Sequence, residues 1–230
     1  TCFIDLSPGD LDQQIEVTLR RLCRFLGTDF AVLWQWSPAA PEVISPTHYV
    51  CALPDIPPPG PMSQEQYPWV RQQLLAGKTV VARSPEAMPA EASVDRETCR
   101  LFGIRSAIAL PLTLRGEPPF GALGLNSLTA ERDWPEPLLM RLQLVSQILT
   151  HALAHHRHEL RLTSSEARLE AGAELAGLAF YEVDFASGSV FVDERMRILC
   201  GIPTDREESV PLVEFWAQHL HPDDSARVLK

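Results

Sequence analysis

The sequence predicts an α+β fold: a central antiparallel sheet flanked by helices, a long connector helix, and a partial second α+β unit. Three observations carry this. Ser106–Leu114 and Phe120–Asn126 are strand-like runs that face each other across the tight turn Arg115-Gly116-Glu117. Helical and strand patterns do not alternate as regular βαβ units, which argues against a parallel sheet. From Pro135 an apolar stripe at helical period continues past Arg161, and only after Gly177 does the period return to two.

The elements follow in order. Leu11, Ile15, Leu19, Leu22 and Leu26 form one stripe and predict a helix over 10–26, stopped by Gly27. Phe30–Trp36 is a β-rich run, and 42–52 is its hairpin partner, with Pro46 pushing part of it toward an edge. The five prolines of 53–61 require an irregular surface loop. A short helix over 66–75 ends at Gly77, a brief strand covers 79–82, and a second helix over 90–102 ends at Gly103. In the main hairpin, Ile108, Leu110, Leu112 and Leu114 share one face, and Leu123 and Leu125 point inward from the partner strand. Leu138, Leu142, Val145, Leu149, Leu153, His156, Leu160, Thr163 and Ala167 have a mean step of about 3.6, the straight-helix value. This predicts a connector of roughly 25–30 residues whose stripe wants a partner helix, with Thr163-Ser-Ser-Glu166 as a capping box that restarts a helix. Beyond Gly177, 180–185 and 190–192 flank a hairpin turn, short helices cover 196–200 and 213–220, and Asp224 or Ser225 caps a further helix that contains Lys230.

Composition bounds the function. The 230 residues include 20 basic and 30 acidic side chains, a formal charge of −10. That disfavours nucleic acid and anionic membrane as main partners, since both need clustered positive charge. No run approaches the roughly 18–20 apolar residues of a membrane helix, and the start lacks the features of a signal peptide. Five scattered cysteines without a CxxC pair point to reduced thiols in a cytosol. The absence of an initial Met suggests a piece of a larger protein.

Gly103-Ile104-Arg105-Ser106 leading into Pro111-Leu112, then Gly116 and Gly121-Ala-Leu-Gly-Leu125, resembles the second half of GAF domains. Leu26-Gly-Thr-Asp29, Tyr67-Pro-Trp69 and Val94-Asp-Arg96 are similar to GAF domains fused to bacterial sensor kinases. Phe180-Tyr-Glu-Val-Asp184, Gly188, Leu199-Cys-Gly201 and His221-Pro-Asp-Asp224 resemble the first half of PAS domains, whose last three strands would lie beyond Lys230. The resemblance implies a GAF sensor domain over 1–155 with the connector starting near 135, a helical linker over 156–171, and an incomplete PAS domain over 172–230. Phe180, Val183, Phe185 and Phe191 are too apolar to face water in half a sheet.

The candidate sites follow from these elements. Trp34, Trp36, Tyr49, Tyr67 and Trp69, with Ile108 and Leu110, make an aromatic-rich interior able to line a small-molecule pocket or simply to fill a core. His48 is a candidate polar anchor or haem ligand. Covalent bilin in GAF domains uses a Cys nine residues before the Gly of the Gly-[Val/Ile]-Arg motif. That position is Val94, followed by Asp95, while Cys99 lies one helical turn before Gly103, so the resemblance implies no bilin attachment. The cyclic-nucleotide signature is also missing, because Asn126 is followed by Ser127. His158-Glu-Leu-Arg161 resembles the phospho-acceptor box of histidine kinases but is followed by Leu-Thr-Ser-Ser rather than Thr-Pro. His151, His155 and His158 share one helix face and are weak metal candidates without a completed shell.

The expectation is a non-catalytic cytoplasmic sensory module. It binds a ligand or cofactor whose identity is unknown, or dimerises through Leu142, Val145, Leu149, Leu153 and Leu160, or does both; a third reading is a structural dimerisation spacer with no ligand. It controls an output domain in a larger bacterial protein, a sensor histidine kinase of a two-component system or a cyclic-di-GMP enzyme. The alternative is a phosphotransfer or metal-dependent enzyme using the His-rich helix 151–158.

Overall fold

The computed structural model describes residues 8–203, 209–221 and 223–224. The chain divides into two compact units, 1–158 and 159–230.

In the first unit, α1 (Pro8–Leu26) is followed by β1 (Phe30–Ser37), β2 (Ala40–Cys51) and β3 (Met62–Ser63). After these come α2 (Pro68–Leu75), β4 (Val80–Ala82), α3 (Ser93–Leu101), β5 (Ser106–Leu112), β6 (Gly121–Ser127) and α4 (Glu136–Ala176). The six strands form one sheet in the order β3-β2-β1-β6-β5-β4, every pair antiparallel.

Alternation along the strands decides which face each helix covers. Ile108, Leu110 and Leu112 of β5, Leu123 and Leu125 of β6, and Ala31 and Leu33 of β1 point to one face. There they meet Leu11, Ile15, Leu19 and Cys23 of α1 and Leu142, Leu149, Ala152 and Leu153 of α4. Leu22 and Leu26 flank this core, so the buried stripe of α1 runs through Cys23. Leu114 falls beyond the end of β5 and is half-buried. Pro46 sits beside a register shift between Leu33 and Trp34, where a missing N–H is tolerated, and β3 pairs only with Val43 and Ile44. The helix expected over 90–102 is split into a 3₁₀ turn (Ala90–Ala92) and α3.

Two structural expectations for α4 need correction. First, it is one unbroken helix of 41 residues with no restart at Thr163. Thr163 Oγ1 donates to the Glu159 carbonyl at 3.0 Å, a back-bond inside a helix rather than a cap. No Gly or Pro between 138 and 171 interrupts it. Second, Leu142, Leu149 and Leu153 are buried in the core of their own unit, with Val145 packed against it. These four are the sheet-facing side of α4 and not an outward seam, because the sheet is the partner their stripe was seeking. Leu160 is exposed.

A buried carboxylate ties the start of β1 to the segment that follows β6. Asp29, 8 % exposed, accepts hydrogen bonds from Ser127 Oγ, the backbone N–H groups of Leu128 and Thr129, and Thr129 Oγ1 at 2.6–3.0 Å. Nearby, Arg132 donates to the Leu26 and Gly27 carbonyls and closes the C-terminus of α1, where Gly27 adopts φ +64°. Burial raises the pKa of Asp29, but the donors from Thr129, Leu128 and Ser127 outweigh it and hold the carboxyl below its usual range. The folded chain therefore binds this proton less tightly than the unfolded chain. The stabilisation is complete above the unfolded value of about 3.9 and is lost as pH falls through the lower folded value. Asp29→Ala is expected to cost on the order of 3 kcal/mol at pH 7, since four donors lose their acceptor. Urea titrations of both proteins at pH 7 and pH 3 should show that penalty shrinking at the lower pH.

The second unit holds β7 (Tyr181–Asp184), β8 (Ser189–Val192), α5 (Glu194–Cys200), β9 (Ser209–Pro211) and α6 (Leu212–His219). Its three strands pair antiparallel in the order β7-β8-β9. β9 was not expected; it pairs because Val210 completes a small core with Val190, Val192 and Phe215. Asp184 accepts from Ala186 N–H and Ser187 Oγ to shape the hairpin turn, and Asp193 caps α5. Phe180, Phe185 and Phe191 are exposed, while Val183 packs against the small core. The helix expected beyond Asp224 lies outside the described residues.

Candidate functional site

On the sheet face opposite α1 and α4, the side chains of the neighbouring strands β5 and β6 are mostly small. Ala107 and Ala109 of β5 pair with Asn126 and Gly124 of β6, and Ala122 pairs with Trp34 of β1. A Cβ on Gly124 would lie 3.1 Å from Val32 Cγ1 and 3.3 Å from Trp34 Nε1, so glycine there leaves the indole its place. With so little volume on the floor, α2, α3 and the proline-rich loop cannot close down on the sheet. A cavity of about 450 Å³ remains beneath them.

Its walls come from separate parts of the first unit. Phe30, Trp34 and Tyr49 rise from the sheet, Tyr67, Val70 and Leu74 come from around α2, and Met88, Asp95, Cys99 and Phe102 from around α3. Ile56 and residues 57–61 close one side, so the loop expected to be simple surface is part of the wall. Lining is predominantly apolar, with a few polar groups, as in small-molecule sites.

Asp95 positions the roof. It is 2 % exposed and accepts from Trp69 N–H at 3.1 Å and Val70 N–H at 2.9 Å. These are orphan amides of the first turn of α2, which Tyr67 does not cap with its own side chain. Thr98 Oγ1 donates to the Gln66 carbonyl at 2.5 Å, a second tie between α3 and the start of α2. Trp36 Nε1 donates to Tyr67 Oη at 3.2 Å, and burial raises the Tyr67 pKa.

Of the residues singled out in sequence, Trp34, Tyr49, Tyr67 and Ile108 line the cavity. Ile108 also packs with Leu110 into the core on the other sheet face, and Leu110 stays there. Trp36 is a core residue whose contribution is the bond to Tyr67, and Trp69 packs beside Met88 and Ala92. His48 alternates out of the site: its Nε2 lies 3.0 Å from Asp12 Oδ1 of α1. It does not line the cavity. The capping role of Asp95 has no local signal in the sequence, because its partners lie 25 and 26 residues away. The Ala/Gly pattern of β5 and β6 was the signal that could have located the cavity.

Val94 is exposed and does not line the cavity, whereas Cys99 does. Burial, with the charges of Asp95 and Glu86 adding to it, pushes the Cys99 thiol up to about 11. It is protonated at neutral pH and a poor nucleophile. Among the described residues, no group of three or more His, Cys, Asp or Glu side chains could hold a metal ion.

The family profile described as "GAF domain" matches residues 10–154, more than half of the chain. The chain belongs to the GAF family. GAF domains are sensory signalling modules rather than catalytic ones. Among solved structures, the GAF domain region of a protein from Geobacter sulfurreducens PCA is 23% identical at a TM-score of 0.53, covering 63% of this chain and 93% of that one. The phycocyanobilin-bound GAF domain of a cyanobacterial phytochrome is 18% identical at 0.54, covering 64% and 86%. The blue-light absorbing form of the Thermosynechococcus elongatus PixJ GAF domain is 14% identical at 0.55, covering 70% and 96%. At these identities the likeness is one of fold. No curated protein matches the chain. Among the described residues, no helix is long and apolar enough to cross a membrane.

Proposed function

We propose that the GAF unit senses a small molecule held non-covalently in its cavity, and that occupancy biases α4, which carries the change to the rest of a larger signalling protein. The observation that supports this is the cavity itself. About 450 Å³ of space under a capped helix is costly to leave empty in a domain that could have filled its floor with larger side chains. The phytochrome relative is named for its bilin; here the protonated Cys99 and exposed Val94 favour a ligand without a thioether link. Occupancy would act through the sheet, since Ala109 and Ala122 on the cavity side alternate with Leu110 and Leu123, which pack in the core shared with α4. Native mass spectrometry of the freshly purified chain should show one bound small molecule per folded chain, released on acid unfolding. A native mass equal to the polypeptide alone, with no melting shift across a library of small aromatic compounds, would overturn the proposal.

The hairpin, the small helices and the His-Pro-Asp-Asp run support reading the second unit as PAS-like and as the next sensory or relay element. The parent would be a cytoplasmic bacterial sensor histidine kinase, or a cyclic-di-GMP enzyme. The alternative phosphotransfer role of His158 would show as label from radioactive ATP on this chain, and the proposal expects none.

Dimerisation through α4 remains part of the proposal, on a different face from the one its periodicity suggested. Met140, Leu144 and Ile148 are each more than half exposed and recur at i, i+4 and i+8. Leu144→Glu with Ile148→Glu is expected to shift a dimer to monomer in light scattering while leaving the melting temperature of the unit nearly unchanged. An unchanged dimer would remove this face from consideration.

A further inference from the structure

The charge pattern of the cavity wall goes beyond the existence of a site. Asp95 is the one ionisable acid or base among the described lining residues besides the protonated Cys99 and the tyrosines. Among the described residues, no Lys, Arg or His lines the cavity and none forms an ion pair with Asp95. Its sequence neighbour Arg96 and the roof residue Arg71 each donate one terminal N–H to a carbonyl, of Pro89 and Pro41, and neither lines the cavity. The charge of Arg71 nonetheless reaches Tyr67, and the Nε of each arginine is buried without a partner. Asp95 Oδ1 and Oδ2 each accept one backbone N–H, and each carboxylate oxygen has capacity for a further donor. One helical turn on, Thr98 has committed its hydroxyl proton to the Gln66 carbonyl, so its oxygen can only accept. Asp95 and Thr98 thus put acceptors on this side of the roof, the amides of Gln66 and Asn126 can both donate and accept, and Trp34, Tyr49 and Tyr67 place aromatic rings in the same cavity.

We propose that this cavity selects its ligand by charge: it takes a flat, largely apolar molecule, neutral or cationic, that donates an N–H or O–H to Asp95, and it rejects anions. The inference rests on reading the cavity as the sensory site. An anion entering it would give up hydration, meet the Asp95 carboxylate, and find no cation in return. A ligand ammonium or ring N–H would gain a charge-assisted hydrogen bond, and a cation would also gain the faces of the aromatic rings. Burial is the main reason the Cys99 thiol is raised, and the charges of Asp95 and Glu86 add to it, in keeping with a wall that disfavours a second negative group. Phosphate-bearing and carboxylate-bearing effectors are excluded on the same grounds unless their charged groups stay outside the wall.

Indole, tryptamine and indole-3-acetate share one ring system and differ in charge, which makes them suitable probes. Titration calorimetry with the full chain should give measurable binding of indole and tryptamine, and indole-3-acetate should bind at least about tenfold more weakly, roughly the effect of one unfavourable charge contact. Asp95→Asn should narrow the gap between tryptamine and indole-3-acetate. Ala109→Phe, which fills the cavity floor, should abolish binding of all three. If Asp95→Asn does not fold, the three-way comparison on the unsubstituted chain decides alone. Indole-3-acetate binding as tightly as tryptamine would overturn charge selection while leaving the cavity as a ligand site. Binding by none of the three, or binding that survives Ala109→Phe, would overturn the cavity reading and the selection with it.

Discussion

Leu149→Glu is expected to unfold the first unit rather than to separate a dimer. Leu149 is fully buried on α4, among the apolar side chains of α1, β5 and β6. Its neighbours Ser146 and Thr150 have already directed their hydroxyls to the carbonyls of Pro111 and Ser146, so they are not idle donors for a carboxylate. An unpaired buried charge costs several kcal/mol even after relaxation, which is comparable with the whole stability of a domain at about 5–15 kcal/mol. Circular dichroism should show loss of the cooperative melt attributable to this unit. Leu144→Glu, one helical face away and 60 % exposed, should melt within about 2 °C of the parent, as surface substitutions usually do. Equal melting of the two variants would show that the sheet-facing side of α4 has been misplaced.

Gly121→Ala is the other substitution with a large expected effect, although it adds a single carbon. Gly121 opens β6 opposite Gln35 of β1 and Leu112 of β5. A Cβ there would lie 2.1 Å from the carbonyl oxygen of Trp34 and 3.2 Å from its carbonyl carbon. The obstacle is backbone, so no rotamer change relieves it; β1 and β6 must separate where the floor of the cavity begins. Overpacking of this kind costs about 3 kcal/mol or more. For a chain of this size that corresponds to a drop of roughly 6–12 °C in melting temperature. Gly60→Ala is the control, because nothing lies within 4 Å of its added carbon and its φ is not positive. A melting temperature for Gly121→Ala within a degree of the parent would contradict the described pairing of β1 with β6.

Most of the secondary structure was legible because local periodicity and punctuation suffice for it. Leu11, Ile15 and Leu19 marked α1, and Gly27, Gly77 and Gly103, all at positive φ, marked helix ends. The β5–β6 hairpin followed from alternation and a Gly-containing turn. The length of α4 and its unbroken passage through Thr163 were less legible, since a capping-box pattern is indistinguishable from helix interior until the preceding turn is seen. The candidate pocket was legible only in part. An aromatic residue on a strand faces one side or the other by a single step of register, so Tyr49 enters the cavity while His48 meets Asp12 of α1.

By itself, then, the sequence determined the α+β class, the order of elements and the resemblance to GAF domains, because these rest on patterns within a dozen residues. Tertiary structure alone decided which partner each pattern meets. It turned the stripe of α4 onto its own sheet, brought Asp95 under the amides of Trp69 and Val70, and gathered four donors on Asp29 from about a hundred residues away. It also opened a cavity where Ala107, Ala109, Ala122 and Gly124 meet across neighbouring strands. Each of these depends on distances between segments remote in the chain, which periodicity does not encode.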